Sequence, residues 1–356
     1  MLNYNKIAVI STGNGGQSMA AYFASRGYDV ALYARDQERV DMFRTNKFLI
    51  SGQVNGSYSA ELISCNIEDV IRDAHLIMVT TPAQYHSVVA SDLAPFLTDG
   101  QIVFLNPGRT FGTCEFDSIL KEKGCAAEYI LGEAETFAFT CRCTQVGYPT
   151  IYSIKNNVLA AAHRKEQTGT LLRALNAALP SFCPADSVLH TGLSNIGMLF
   201  HPLPIIMNIT RVERGEHFLY YKDGITPMVA ERIEQLDSER LAVTRALGVK
   251  VQPAKDWICE KYNANGNNLY EAIQDTDAYS DVSAPTSIFT RYIFEDIPTG
   301  LVPMYCVGQL AGINTAMAKS VIDWASAIYG FDFLSRGRNN ERINLSEIIY
   351  LNQAVK

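Results

Sequence analysis

The sequence predicts an α/β fold for the first half of the chain, followed by a mostly α-helical domain. Two observations lead to this prediction. Short apolar runs rich in β-branched residues alternate with segments of helical spacing up to about residue 180. Beyond that point the strand pattern fades and helical spacing dominates. The 356 residues exceed one ordinary domain of about 150 residues, so we place two domains at 1–184 and 185–356, with the boundary near 180–186.

The chain opens with a predicted βαβ unit over residues 6–35. Residues 6–12 and 29–35 are short apolar runs typical of strands, and the segment between them has helical spacing. The turn after the first strand reads GNGGQS, which is the G-x-G-x-x-G motif with Ser18 at the third glycine. A small residue is sufficient there, because the position only has to let the helix pack on the strand. The motif predicts dinucleotide binding, with an ordinary structural turn as the alternative.

Each residue of this turn has an expected role. Gly13 permits a tight turn with positive φ, and Gly15 lets a pyrophosphate approach the backbone. The N-terminus of the following helix points unpaired N–H groups at that anion. We therefore predict a cofactor-binding turn formed by Gly13, Asn14, Gly15 and Gly16.

The rest of the first domain continues the alternation of strands and helices. Residues 36–44 are predicted as a polar surface helix, and residues 48–63, with two internal glycines, as an inserted hairpin. Further strands are expected at 76–81, 101–106 and 129–132, a helix at 83–97, short strands within 139–163, and a closing helix at 166–179. This order predicts a Rossmann-type, doubly wound parallel sheet whose ligand lies at the carboxyl ends of the strands.

Two loops follow strands of this predicted sheet. Thr81 and Pro82 come at the end of one strand, and Asn106 comes at the end of the next. We expect these residues to line the cofactor crevice, with the threonine hydroxyl and the asparagine amide as hydrogen-bond donors. Ordinary strand-to-helix turns are the alternative, since Pro and Gly in such turns need no ligand.

The end of the second strand indicates which dinucleotide binds. The partner of the ribose is expected about 20 residues after the glycine turn, where an acidic side chain selects NAD. Arg35 lies at this place, and its guanidinium suits a 2′-phosphate. NADP(H) is therefore favoured as the cofactor, although Asp36 follows directly and leaves NAD(H) as a second option.

Composition excludes several classes of protein. Apolar residues make up 47% of the chain and charged residues 19%, which excludes a disordered protein. The net charge of −7 and the lack of a basic stripe argue against a nucleic-acid partner. No run of about 18 apolar residues indicates a membrane span, so we expect a cytoplasmic protein without a membrane partner. The eight cysteines are scattered without a C-x-x-C pair, which favours free thiols over a metal site.

The second domain contains two stretches that could carry chemistry. In NIGMLFHP, His201 stands in an apolar run directly before a proline, and a satisfied core or cap histidine is the alternative. RYIFEDIPTG sets Arg291 near two carboxylates, for which a salt bridge at a helix end is the alternative. Helical spacing in this domain occurs at 187–214, 225–247, 254–262 and 315–329. The last of these segments fits either the core or the surface of a homodimer.

Several motifs occur together in an order that resembles one known family. They are the glycine turn, VTTPAQYH, NPGRTFG, GEAETF, NIGMLFHP, DSERLAVTRALG and RYIFEDIPTGLVP. From residue 6 to about residue 338 the chain resembles opine dehydrogenases of the octopine/nopaline type. The resemblance implies an NAD(P)-dependent oxidoreductase acting on CH–NH bonds. Such an enzyme condenses an amino acid with a 2-oxo acid and reduces the imine to an N-(carboxyalkyl)amino acid.

The resemblance also implies site residues. It places the catalytic histidine on His201, its aspartate partner on Asp296, and the arginine that holds the oxo-acid carboxylate on Arg291. Residue chemistry agrees, because imidazole exchanges protons near neutral pH, a carboxylate on its other nitrogen fixes the tautomer, and arginine grips a carboxylate with two hydrogen bonds. Asn195, upstream on the same predicted helix, is expected to hydrogen-bond the substrate or the nicotinamide.

Two other functions stay open at this point. A dehydrogenase of related layout that reduces a simple 2-oxo or 3-hydroxy acid commonly uses an active-site lysine, but no lysine lies between Lys165 and Lys222. A nucleotide-sensing protein that has lost catalysis would lack one of the three site residues, and all three are present. The substrates are small molecules whose identities the sequence leaves open. Asp237 and Arg240, three residues apart on a predicted helix, are expected to form a structural ion pair across the domain interface.

Overall fold

The computed structural model describes residues 3–43, 45–346 and 348–349. The chain forms two compact units, Met1–Gly192 and Leu193–Lys356. Within the described ranges, no helix combines the length and the apolar character that a membrane span requires.

The described residues up to Leu193 form twelve strands and seven α-helices. The strands are β1 (Asn3–Ile10), β2 (Asp29–Tyr33), β3 (Lys47–Gly52), β4 (Gly56–Ser59), β5 (Leu62–Ser64), β6 (Ala74–Val79), β7 (Ile102–Leu105), β8 (Ile130–Ala134), β9 (Phe139–Cys143), β10 (Pro149–Ile154), β11 (Val158–Ala162) and β12 (Phe182–Pro184). The helices are α1 (Asn14–Ser25), α2 (Gln37–Asp41), α3 (Ile67–Ile71), α4 (His86–Leu93), α5 (Gly112–Glu122), α6 (Thr168–Ala178) and α7 (Val188–Leu193). Residue 44, the end of the predicted surface helix, lies outside the described residues.

The large sheet of this unit is doubly wound, as the sequence predicts. Its strand order is β12-β11-β8-β7-β6-β1-β2-β5, and the six strands from β8 to β5 run parallel. Alternate side chains of β1 enter two different cores. Ile7 and Val9 pack with α1 and α6, whereas Ala8 and Ile10 pack with α3, α4 and α5. The chain therefore reverses its winding at β1, where ligands of such sheets bind.

The inserted hairpin is only partly as predicted. β3 and β4 form the antiparallel pair, but the predicted segment also overlaps β5, which joins the edge of the large sheet parallel to β2. β3 also pairs with β10, and β9 completes a separate four-stranded sheet in the order β4-β3-β10-β9. A short apolar run such as Leu62–Ser64 carries no sign of which partner strand it will find.

The division between the units lies after Gly192, later than the boundary near 180–186 that the sequence predicts. The reason is that the intervening segment is tied to the first sheet. β12 pairs with β11, and the Thr191 hydroxyl on α7 donates a hydrogen bond of 2.7 Å to the buried carboxylate of Glu133 on β8.

The second unit is helical. Its helices are α8 (Gly197–Phe200), α9 (Pro202–Met207), α10 (Ile209–Glu213), α11 (Pro227–Ala246), α12 (Ala254–Tyr262), α13 (Leu269–Asp275), α14 (Arg291–Phe294), α15 (Val302–Leu310), α16 (Ala316–Tyr329) and α17 (Phe333–Arg336), with a π-helical turn at Ile297–Leu301. The predicted helix at 187–214 is broken into α7 to α10. Pro202, the first residue of α9, lacks the N–H that would continue α8, so the chain bends at His201.

The periodicity of α16 fits either a core helix or a dimer surface, and the structure shows the core role for one of its faces. Ala318, Val321, Ile322 and Ala325 are buried in the second unit, so one face is core. The side chains of Trp324 and Ile328 stay exposed, at 62% and 43%. A homodimer contact on that exposed face remains a prediction.

Candidate functional site

The glycine turn differs from the expected geometry at Gly13. This residue has φ −73° and ψ −173°, which any residue adopts, so the prediction of a positive φ at Gly13 is wrong. The reversal lies at Ser11, whose φ is 136° and whose Oγ accepts the Gly13 N–H at 3.1 Å. The side-chain hydroxyl supports the unusual backbone locally, a role that Ser and Thr commonly have in turns.

The need for glycine comes from close approach instead. A Cβ on Gly16 would lie 1.8 Å from the carbonyl oxygen of Ser11, and a Cβ on Gly15 would lie 2.8 Å from the Phe137 ring. Asn14 is exposed, and its Oδ1 accepts the Cys143 N–H at 3.1 Å. Among the described residues, no side chain caps the N-terminus of α1 and its first turn holds no acidic residue. The turn thus keeps the open, positively polarised helix end that an anionic pyrophosphate requires.

Two arginines follow β2. Arg35 is 87% exposed, and its Nε lies 2.8 Å from Oδ2 of Asp36. Asp36 begins α2 by accepting the Arg39 N–H, and this bond, together with the Arg35 guanidinium, holds the pKa of Asp36 below its ordinary value. Arg39 turns back to the glycine turn, where it donates to the Thr12 carbonyl at 2.9 Å. Sequence reasoning missed Arg39, although it is a basic residue of the predicted helix that directly follows Arg35.

The predicted crevice residues lie in different environments. The Thr81 hydroxyl oxygen is buried and, within the described ranges, has no hydrogen-bond partner, while Pro82 is exposed. Asn106 is fully buried: its Oδ1 accepts the Ala138 N–H at 3.2 Å, and its Nδ2 lies 3.6 Å from the Met78 sulfur. Asn106 is therefore buried at the end of the sheet, where protein groups satisfy its side chain. The Thr81 hydroxyl, in contrast, has a hydrogen bond to offer to a ligand.

The second unit brings His201 and Asp296 together, 95 residues apart in the chain. The imidazole Nδ1 and the carboxylate Oδ2 are 2.7 Å apart. Asp296 is fully buried, and the His201 side chain is 13% exposed. Since the Asp296 carboxylate accepts a hydrogen bond from Nδ1–H, the Nε2 of His201 is left for a reacting group, which is the arrangement of a catalytic histidine with its orienting carboxylate.

The bend at His201 is held by an aromatic residue. The hydroxyl of the buried Tyr220 donates to the carbonyl oxygens of Phe200 and His201, at 3.0 and 2.8 Å. The Tyr292 ring lies parallel to the imidazole, with the two centroids 4.0 Å apart and the planes at 10°. Sequence reasoning missed both tyrosines, and only Tyr292 left a signal, as a member of the RYIFED motif.

Arg291 and Asn195 differ in exposure. Arg291 begins α14 and is exposed, and its side chain makes no hydrogen bond or ion pair within the described part of the chain. Asn195 is 2% exposed, and its Oδ1 accepts the Gly197 N–H at 3.1 Å. It therefore lies in the turn between α7 and α8, two residues before α8 begins, so the expectation that it shares one helix with His201 is wrong.

Three further tyrosines of the second unit contact one another. The ring of Tyr221 stacks on that of Tyr279, with the two centroids 3.9 Å apart. The ring centroid of Tyr262 lies 5.0 Å from that of Tyr279. Burial, with the neighbouring tyrosines adding to it, raises the pKa of Tyr221 and Tyr279 well above the ordinary value. Both hydroxyls therefore remain protonated donors at neutral pH.

Asp237 and Arg240 form the expected structural ion pair, but within one unit. Arg240 is fully buried; its Nε donates to Asp237 Oδ1 at 2.8 Å, and its other nitrogens donate to the carbonyls of Leu193 and Gln252. Asp237 also accepts the Ala254 N–H. All these partners belong to the second unit, so the ion pair stabilises the interior of that unit.

Two segments of the chain match known protein families. Residues 6–117 match the family described as NAD binding domain of 6-phosphogluconate dehydrogenase, and residues 184–329 match NAD/NADP octopine/nopaline dehydrogenase, alpha-helical domain. An opine dehydrogenase from Arthrobacter sp. (strain 1C) is 34% identical over 348 residues, covering 97% of each chain. A vitopine synthase from Allorhizobium ampelinum is 23% identical over 355 residues, covering 96% of each chain.

The fold agrees with solved structures. Octopine dehydrogenase with NADH and L-arginine has a TM-score of 0.80 at 20% identity, covering 98% of this chain and 97% of that chain. Yersinopine dehydrogenase with NADP+ bound has a TM-score of 0.73 at 14% identity, covering 99% of each. Since the Arthrobacter relative matches almost end to end at 34% identity, the chain belongs to the opine dehydrogenase family.

Proposed function

We propose that this enzyme condenses the amine of an amino acid with the carbonyl of a 2-oxo acid such as pyruvate, and reduces the imine to an N-(carboxyalkyl)amino acid. The observation that carries the proposal is the His201–Asp296 pair, with Nδ1 and Oδ2 2.7 Å apart, in a unit that also exposes the guanidinium of Arg291. A proton-transfer group and a cation that binds carboxylate are the two side-chain functions that this chemistry needs.

His201 moves the protons. As the amine nitrogen bonds to the carbonyl carbon, two protons pass one after the other from that nitrogen to the carbonyl oxygen, and Nε2 accepts and then donates each of them. The first proton forms the hydroxyl group, and the second lets it leave as water, so that the imine remains. Asp296 keeps the proton on Nδ1 and stabilises the imidazolium that forms during each of these transfers. NAD(P)H, when bound, supplies the hydride that reduces the imine carbon.

Arg291 and Asn195 have different roles in this proposal. Arg291 binds the 2-oxo acid carboxylate through paired charge-assisted hydrogen bonds, which its exposure allows. Asn195 lies in the turn before α8, the short helix that precedes His201, and its carboxamide oxygen already accepts the Gly197 N–H. We therefore assign Asn195 a positioning role in place of the substrate contact expected from the sequence.

The residues of the first unit fit a dinucleotide. The close approach at Gly15 and Gly16, the uncapped N-terminus of α1 and the buried hydroxyl of Thr81 all suit an anionic ligand with hydroxyl groups. Gly13, Asn14 and Pro82 border the same turn and loop, and we propose that they complete this binding surface. Asn106 supports it from inside through Ala138.

The proposed reaction is tested with a matrix of amino acids against 2-oxo acids, following NADPH and NADH absorbance and identifying products by mass. We expect oxidation only when both substrates are present, with a product mass equal to their sum minus water plus two hydrogens. Oxidation with an oxo acid alone would instead indicate a simple 2-oxo acid reductase. Cofactor binding without oxidation by any pair would indicate a nucleotide sensor.

The cofactor preference follows from the residues after β2. Both Asp36 oxygens already accept hydrogen bonds, one from the Arg39 N–H and one from Arg35 Nε. The positive charges of the Arg35 and Arg39 guanidinium groups also act on this carboxylate. A 2′-phosphate would meet positive charge here, and a 2′-hydroxyl would have to displace Arg35 from the carboxylate. We therefore propose a preference for NADP(H) over NAD(H).

Arg35→Ser tests this preference. We expect the KM for NADPH to rise about 10- to 100-fold, the effect of losing one charge-assisted contact, while the KM for NADH stays level or falls because Asp36 is released. Steady-state kinetics with both cofactors measures the change. Arg26→Ser, at an exposed arginine just after α1, is the matched control. A wild-type enzyme that strongly prefers NADH would contradict the assignment.

The cytoplasmic location also stays a proposal. Its support is that all eight cysteines are free thiols, which is typical of proteins in a reducing compartment.

A further inference from the structure

We propose that Tyr292 is a positioning residue that holds the imidazole of His201 in its reactive orientation. The inference rests on the proposed function, since it assumes that His201 transfers protons. The hydrogen bond to Asp296 fixes only one corner of the imidazole, at Nδ1. A ring held at one corner can still tilt about that bond, and a tilt would move Nε2 away from the substrate.

The stack with Tyr292 removes this freedom. The two rings are nearly parallel, at 10°, and their centroids are 4.0 Å apart, closer than the about 4.5–7 Å usual for aromatic pairs. A parallel neighbour covers one face of the imidazole and leaves the Nε2 edge accessible. The negative face of a tyrosine ring also attracts a cation, so the contact favours the imidazolium that forms during proton transfer.

One turn of chain supplies both restraints. Tyr292 and Asp296 are four residues apart, the spacing that places two side chains on the same side of a helical turn. One stacks on the ring and the other binds its edge. Arg291 directly precedes Tyr292, and Thr290 caps this turn through the Tyr292 N–H. The segment therefore places the proposed carboxylate-binding cation and both restraints on His201 with one local structure.

Tyr220 contacts both members of the stack. Its ring centroid lies 5.1 Å from that of Tyr292, while its hydroxyl binds the carbonyl of His201 at 2.8 Å. Tyr220 is fully buried, so both contacts are held by the core of the unit. The ring of Tyr292 thus lies in a slot with Tyr220 and His201 as neighbours.

The test compares Tyr292→Leu with Tyr292→Phe. We expect the leucine variant to lower kcat about 10- to 100-fold, since small misplacements of a reacting group have effects of this size, with the cofactor KM unchanged. The phenylalanine variant keeps the ring and should retain a kcat near that of the wild type. Phe289→Leu is the matched control. It removes an exposed ring that stacks on Phe294 of α14, the helix of Tyr292, and it leaves the ring contact of His201 unchanged.

Three kinetic outcomes would overturn the proposal. They are a leucine variant with wild-type kcat, a leucine variant changed only in KM, and a phenylalanine variant as slow as the leucine variant. If the wild type reduces no imine from any substrate pair, the proposed function fails, whatever Tyr292 does.

A measurement on the wild-type protein covers the case in which the leucine variant does not fold. In proton NMR, the ring current of Tyr292 should shift the Cε1–H signal of His201 upfield of the other histidines. His201→Asn identifies the signal by its loss. An unshifted His201 signal would contradict the stack and overturn the proposal.

Discussion

Replacing His201 by alanine should lower kcat by about 10²- to 10⁴-fold, the usual contribution of a positioned acid–base group. The amine and the leaving hydroxyl would then have no group at Nε2 to exchange protons with. The KM for NADPH should change by less than about twofold, since the residue acts on chemistry and not on cofactor binding. Steady-state kinetics with saturating amino acid and 2-oxo acid measures both quantities.

A second variant separates catalysis from stability. Asp296 is fully buried, and its carboxylate would lose the hydrogen bond to His201 in the alanine variant, which is expected to destabilise the fold. His201→Asn places an amide N–H where Nδ1–H now donates, so it keeps the hydrogen bond but cannot transfer protons. We expect it to be as inactive as the alanine variant, with a melting temperature closer to wild type. His217→Ala, at an exposed histidine of the same unit, is the control. A near-wild-type rate in His201→Asn would remove His201 from the mechanism.

Replacing Arg291 by lysine should raise the KM for the 2-oxo acid about 10- to 100-fold, because a point charge cannot replace the paired hydrogen bonds of a guanidinium. The amino-acid KM should change much less, since the proposed contact is with the oxo-acid carboxylate. Initial rates over a range of each substrate measure the two constants separately.

The side chain of Arg291 is exposed, so its replacement should leave the fold intact. Arg232→Lys on α11 is the matched control, because Arg232 is also a partly exposed arginine of this unit and pairs with Glu231. Equal effects of the Arg291 change on both substrates would indicate a general electrostatic role. An unchanged oxo-acid KM would overturn the assignment.

Local pattern was sufficient to predict most elements of the fold. The strand–turn–helix at the start of the chain, the buried parallel strands and long helices such as α11 and α12 all have a clear period in the sequence. The fold class follows from their order, since alternating strands and helices pack in one way. The errors concern short segments. β5 and β12 have three residues each, too few to show a period, and only their partner strands decide that they join the sheet.

The glycine turn shows a second kind of limit. The motif correctly marks a place of close approach, but it does not tell which residue takes the positive φ. That residue is Ser11, whose carbonyl oxygen also occupies the space that a Cβ on Gly16 would need. Gly13 is then free to adopt an extended backbone.

By itself, the sequence determined the fold class, the glycine turn and the residue types of the candidate site, through the resemblance of its motifs to a family. Only the tertiary structure decided that His201 and Asp296 lie 2.7 Å apart, that Tyr292 stacks on the imidazole, and that Tyr220 contacts the ring of Tyr292. The physical reason is the separation along the chain over which each kind of signal acts. Periodicity and turn chemistry act over a few neighbouring residues, whereas the distance between side chains 95 residues apart depends on how the whole helical unit packs.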